Sequence, residues 1–255
     1  MPSKWFTFVI TGFFLINANL AMSQKRNQIE YQGKTPEGLV GNGRSVVKVR
    51  PTGFEFHTGG DATGQFSFIV NGKPREFNIS KAHSEFFPGG VVYRLADDGM
   101  NIEILHGAET DNPYFAVIRV KGKAKSVEMD VNTHGSPHVS PSGRITIELK
   151  HGIGQICLSV GPTIPSGTLD EIKIKAEASY QKGFLLHTPS KLVDRAVPFN
   201  RYLLDLGFDG NLHVCEIFRW RDVWSRDLGS GLVPGAMAGG EFSAARTTIE
   251  YDLHR

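Results

Sequence analysis

The residues best suited to chemistry crowd into one stretch, Phe218-Arg-Trp-Arg-Asp-Val-Trp-Ser-Arg-Asp-Leu-Gly-Ser-Gly-Leu-Val-Pro-Gly235. Two Arg-Asp pairs, Arg221-Asp222 and Arg226-Asp227, stand there beside Trp220 and Trp224. Indole faces stack on the apolar faces of sugar rings. An Arg-Asp pair holds donors and acceptors in a fixed fork that suits neighbouring hydroxyls. The pattern points to a pocket for an oligosaccharide or polysaccharide. Glycoside cleavage needs two carboxyl groups across the bond, one of them an acid of raised pKa. The carboxylates nearest the aromatic patch are Glu216, Asp222, Asp227 and Glu241. An arginine partner lowers a carboxyl pKa. Asp227 therefore suits hydrogen bonding to substrate hydroxyls better than proton donation, and no catalytic residue is assigned. The plainer reading is that Arg226-Asp227 ties a loop to a helix N-terminus, where Asp is favoured, with Trp224 packed beneath it.

Other candidates carry less. His134, His138 and His151 follow Asp130 closely, and His134-x-x-x-His138 would share a helix face. Gly135, Ser136, Pro137 and Pro141 forbid that helix, so turn and strand-edge positions are expected and no metal is assigned. Ser225 lacks the surroundings of a nucleophile elbow. Gly38, Gly41 and Gly43 precede a strand pattern and miss the nucleotide-loop spacings. They read as a turn, and no cofactor is implied. Cys157 and Cys215 are expected as two buried thiols, although export would permit a disulfide.

The elements that must position the motif fall into two groups. Residues 45–50, 53–57, 65–70, 91–95, 101–105, 114–120, 126–131, 144–149, 155–160 and 171–175 read as short strands, several alternating apolar and polar residues. Asn71-Gly72, Pro88-Gly-Gly90, Asp98-Gly99 and Ser142-Gly143 mark turns between them. Many short strands with tight turns predict a two-sheet β-sandwich over residues 24–187. From Ser190, a plausible N-cap, the period becomes helical through Leu192, Val193, Ala196, Val197, Tyr202 and Leu206, with Pro198 expected to kink or split the helix. A second helix is expected from about Gly231 through Met237, Phe242, Ala245, Ile249 and Leu253, with Gly239-Gly240 as a potential break. The fold class is thus mainly β: an N-terminal β-sandwich followed by a helical hairpin over residues 188–255.

Residues 1–23 have the three-part layout of a secretory signal: Lys4, an apolar run from Trp5 to Leu20, then small residues at Ala21 and Ser23. Export to a periplasmic or extracellular space is expected, with no membrane association once the signal is removed. The chain of 255 residues is 40% hydrophobic and 21% charged, which is ordinary for a globular protein. Lys+Arg 28 against Asp+Glu 26 gives a net charge of +2, and so small an excess offers nucleic acid no footing.

Trp224-Ser-Arg-Asp-Leu228, then Gly231-Leu-Val-Pro-Gly235, then Glu241-Phe-Ser-Ala-Ala-Arg246, resembles the six-hairpin glycosidases. These include bacterial glucoamylase-like enzymes and the amylo-α-1,6-glucosidase (glycogen debranching) group. The resemblance implies a β-sandwich joined by a helical linker to an (α/α) barrel, of which residues 188–255 would be the first hairpin. It also implies that the Trp-x-Arg-Asp motif, matched by Trp224, Arg226 and Asp227, touches the sugar beside the scissile bond. The family's catalytic carboxylates lie on loops between later hairpins, so this chain is expected to be a front fragment with those groups downstream of residue 255. Arg219-Trp-Arg-Asp222 nearly duplicates the motif; Arg226-Asp227 fits better because the Gly-Pro helix entry follows it directly. The resulting expectation is an exported glycoside hydrolase acting on α-glucan or a related oligosaccharide. The alternative is a non-catalytic carbohydrate-binding sandwich with a helical docking tail, binding through strand aromatics such as Phe66, Phe68 and Tyr93.

Overall fold

The computed structural model describes residues 29–32, 37–97, 99–109, 111–180 and 187–190, then isolated positions between 194 and 213, Met237 and the segment 242–253. The signal-like residues 1–23 lie outside the described residues. The strands in order are β1 (Ile29–Gln32), β2 (Gly38–Gly41), β3 (Val46–Arg50), β4 (Gly53–Thr58), β5 (Thr63–Val70), β6 (Lys73–Arg75), β7 (His83–Phe87), β8 (Gly90–Asp97), β9 (Met100–Glu109), β10 (Asn112–Gly122), β11 (Ser126–His134), β12 (Gly143–Glu148) and β13 (Ile153–Ser159). Helix α1 (Leu169–Tyr180) follows, then the short strands β14 (Phe208–Asp209) and β15 (Leu212–His213), and helix α2 (Phe242–Leu253).

The strands form two antiparallel sheets, one ordered β1-β7-β8-β9-β10-β13 and the other β12-β11-β5-β4-β3-β2, with β6 paired to β5. The mainly β sandwich expected from the sequence is what the chain forms. Alternation explains the facing surfaces: Phe54, Phe66 and Phe68 of the second sheet meet Ile102, Ile104 and Tyr114 of the first in one buried core. The Asn71-Gly72 turn takes φ of 51° and 73°, the left-handed pair that a tight hairpin between β5 and β6 demands.

The first sheet is apolar on both faces over part of its area. Val92, Leu105, Val117 and Cys157 lie side by side on its outer face in register. Helix α1 covers this row by setting Leu169, Ile172 and Ala176, at helical spacing, against a cluster with Phe87 and Phe115. Burying Leu169 and Ile172 contributes about 2 kcal/mol each.

Three expectations need correction. Residues 171–175 are helical, inside α1. Ile172 and Ile174 mimic strand alternation, but Ile172 is buried and Ile174 is half exposed. The deciding local signal is a capping box: the Thr168 N–H donates to Glu171 Oε2 at 2.8 Å and the Glu171 N–H donates to Thr168 Oγ1 at 3.3 Å. The glycine cluster around Gly38 and Gly41 is mostly strand β2, not a turn. These glycines permit close packing: a Cβ on Gly38 would sit 3.0 Å from Val91 Cγ1, and one on Gly41 would sit 2.1 Å from the Ser45 carbonyl oxygen. Finally, Phe66, Phe68 and Tyr93 are only 2%, 1% and 0% exposed. They are core residues and present no face to a sugar.

Candidate functional site

The sequence motif is approached through a helical segment docked on the sandwich. Asp194, Ala196, Pro198, Phe199, Tyr202, Leu203 and Leu206 are helical. The Asp194 N–H donates to the Ser190 carbonyl at 3.2 Å, the first bond of a helix, which suits Ser190 as the capping position. The Asp194 carboxylate reaches back to accept from the Thr188 N–H at 2.7 Å. On the far side, the Tyr202 hydroxyl donates to the Leu39 carbonyl of β2 at 2.7 Å. Its ring stands edge-on to Tyr180 at the end of α1, with centroids 5.2 Å apart. Leu206 is fully buried, its Cδ2 3.1 Å from where a Cβ on Gly41 would lie. The glycines of β2 are thus the seat of the helical segment. Sequence reading marked Tyr202 and Leu206 as an apolar face but gave no sign of Tyr180 as their partner.

Beyond this segment, β14 and β15 pair as a short hairpin, and α2 packs beside β15. The elements that precede and follow the motif's stretch of sequence, β15 and α2, therefore lie together. Trp220, Arg221, Asp222, Trp224, Arg226 and Asp227 all belong to this connection and lie outside the described residues, as do Cys215, Glu216 and Glu241. The structure supplies the frame at both ends of the motif, and the motif's own geometry stays a matter for the sequence.

The densest group of charges among the described residues lies on the outer face of the first sheet, where Arg94, Glu103 and Arg119 sit side by side across β8, β9 and β10. Arg119 Nε donates to Glu103 at 2.7 Å and its guanidinium grips Asp170 of α1. Glu85 is almost wholly buried between Arg94 and Lys173 of α1. Burial pushes the Glu103 carboxyl up, but hydrogen bonds from Arg119 and Lys121 outweigh it and hold it at about 2. Burial likewise raises Glu85, and Lys173 and Arg94 more than reverse it. Carboxylates held ionised cannot be the raised-pKa acid that glycoside cleavage requires. This network clamps α1 to the sheet.

A second polar group lies inside the core. His106 Nδ1 is 2.9 Å from the Tyr114 hydroxyl, and its Nε2 turns toward the Arg50 backbone without completing a well-formed hydrogen bond. Burial lowers the imidazole to about 3, so the ring is neutral at ordinary pH. Burial also raises the Tyr114 hydroxyl and pushes the Cys157 thiol up to about 12. Both groups are inert as bases or nucleophiles. The other histidines sit apart: His134 ends β11, His138 follows in a loop, and His151 occupies a tight turn at φ 53°. Among the described residues no group of three or more His, Cys, Asp or Glu is placed to hold a metal. Nor is any described helix long and apolar enough to cross a membrane.

No protein-family model matches the chain, and no curated protein matches it.

Proposed function

We propose that the chain belongs to an exported glycoside hydrolase acting on an α-glucan or a related oligosaccharide. Trp224 serves as a stacking platform for one sugar ring. Asp227, held by Arg226, accepts hydrogen bonds from its hydroxyls. Trp220, Arg221 and Asp222 flank the same pocket. The carboxyl pair that cleaves the bond belongs, by the resemblance, to loops between later helical hairpins.

One observation supports this reading above the others. A β-sandwich is followed by a helical segment fixed to it through Tyr202 and Leu206, and the Trp-x-Arg-Asp stretch then spans two elements that touch. Elements fixed to a rigid scaffold can hold aromatic and charged side chains in place for a ligand. The test uses the gene product read to its own stop codon. It should release reducing sugar from maltohexaose or an α-1,6-linked counterpart. Trp224→Ala should lower kcat/KM about 30-fold, equivalent to roughly 2 kcal/mol of lost stacking. Full activity in that variant, or no hydrolysis of any α-linked hexasaccharide, would count against the proposal.

A further inference from the structure

The second sheet carries a recess on its outer face that the motif does not account for. Its volume is about 330 Å³, at the lower end of known ligand pockets. It arises from one missing side chain. Asn132, Gln65, Gly53 and Arg50 lie in register across β11, β5, β4 and β3. In the neighbouring row His134, Thr63 and Glu55 are paired across the same strands. Gly53 leaves bare backbone between Gln65 and Arg50, and a Cβ there would lie 2.6 Å from the Gly64 carbonyl oxygen. A side chain at Gly53 would both fill the recess and press on the neighbouring strand.

We infer that this recess is a non-catalytic binding site for a neutral, hydroxyl-rich ligand, namely a short stretch of oligosaccharide lying across the strands. Four adjacent strands span about 14 Å, long enough for a disaccharide unit. The walls offer two amides, two hydroxyls and an imidazole, a set that both donates and accepts. The charges cancel: Arg50 Nε donates to Glu37 at 2.8 Å, and its guanidinium lies 3.7 Å from Glu55. Glu37 also pairs with Lys48 at 2.6 Å. Among the described residues an anionic ligand would find no free cation here and would meet two carboxylates. Strands β5, β4 and β3 all have neighbours on both sides. Recognition must therefore come from side chains, which excludes an added peptide strand. Among the described residues the only aromatic rings lining the recess are the buried Phe54 and the His134 imidazole, so affinity rests on hydrogen bonds in an open site, and a dissociation constant on the order of 1 mM is expected.

This inference does not depend on the hydrolase reading. The experiment is nuclear magnetic resonance of the nitrogen-15-labelled 255-residue chain, titrated separately with maltohexaose, cellohexaose and mannohexaose, and with hexagalacturonate as the anionic control. The side-chain amide signals of Asn132 and Gln65 should move saturably with at least one neutral sugar. Read from the backbone amide signals of β5 and β11, the double variant Gln65→Ala, Asn132→Ala should bind at least about 5-fold more weakly, the low end for two lost hydrogen bonds. The isosteric Gln65→Glu, which adds a charge without altering packing, should weaken it too. Trp224→Ala should leave these shifts unchanged, even where it weakens hydrolysis, so the two sites are scored separately. Absence of movement with all three neutral sugars at about 20 mM, well above the expected constant, overturns the inference. Tighter binding of hexagalacturonate, or undiminished binding by the folded variants, does so as well.

Discussion

The two sheets of this sandwich share a core but treat their outer faces in opposite ways. The outer face of the first sheet continues the hydrophobic pattern through Val92, Leu105 and Val117, and α1 lies over it, locked by Glu85–Lys173 and Arg119–Asp170. The outer face of the second sheet alternates strictly to Ser67, Gln65 and Asn132, and among the described residues the helical segment of Tyr202 and Leu206 docks only at its β2 edge. A strand that is apolar on both faces must be covered, whereas one that is polar on one face is free to meet a ligand. Strength of interaction and availability for binding are thus divided between the two sheets.

Substitutions on the covered side should therefore cost most. Phe115 is buried beneath α1 with its ring over Gly107. Phe115→Ala should destabilise the protein by about 3–5 kcal/mol, read from urea midpoints. Glu85→Ala should cost about 3 kcal/mol, because Lys173 and Arg94 would keep their charges beside an apolar gap. If Glu85→Ala proved neutral, the network would be surface decoration and α1 would be held by apolar contacts alone.

The core histidine gives a pH-dependent version of the same comparison. His106 has its pKa lowered from 6.5 to about 3 in the folded protein, by burial. Between those values the unfolded chain binds a proton that the folded one refuses, so stability falls as pH drops below about 6.5 and the loss is complete near 3. From pH 6.5 to 5 that is about 1.5 units at about 1.4 kcal/mol each, roughly 2 kcal/mol. Glu103 adds loss in the same direction at lower pH, between 4.5 and about 2. His106→Phe should flatten the upper window alone, checked by urea unfolding at a series of pH values. An unchanged slope would mean that the imidazole is not the group that titrates. A smaller effect, about 1 kcal/mol, is expected for Thr168→Ala, which removes the hydroxyl of the capping box.

How much of this was legible follows from where each signal is local. The strands carrying Phe54, Phe66, Ile102 and Ile104 could be read because alternation and the Asn71-Gly72 turn act over a few residues. Helix α1 could not be read from Ile172 and Ile174, whose spacing fits a strand equally well, although Thr168-x-x-Glu171 was there to be used. Strand β2 was missed because its glycines answer to Val91 and Leu206, residues remote in sequence. The recess was invisible for the same reason: Arg50, Gly53, Gln65 and Asn132 become neighbours only through strand register. The Trp224-Ser-Arg-Asp227 motif is the reverse case, plain in sequence and outside the described residues.

The smallest expected effect is the sharpest test of the division between the sheets. Gln65 and Asn132 are exposed, and no fold element lies over them among the described residues. Removing an exposed polar side chain that packs against nothing changes stability by no more than about 0.5 kcal/mol. The double variant Gln65→Ala, Asn132→Ala should therefore unfold in urea at the wild-type midpoint, with the same slope, while Phe115→Ala on the opposite sheet shifts it strongly. Two residues that cost nothing to stability yet lower sugar affinity would mark a face kept for binding. A loss of 2 kcal/mol or more, the scale set for covered positions, would show instead that another part of the chain rests on this face. The second sheet would then be as fully covered as the first.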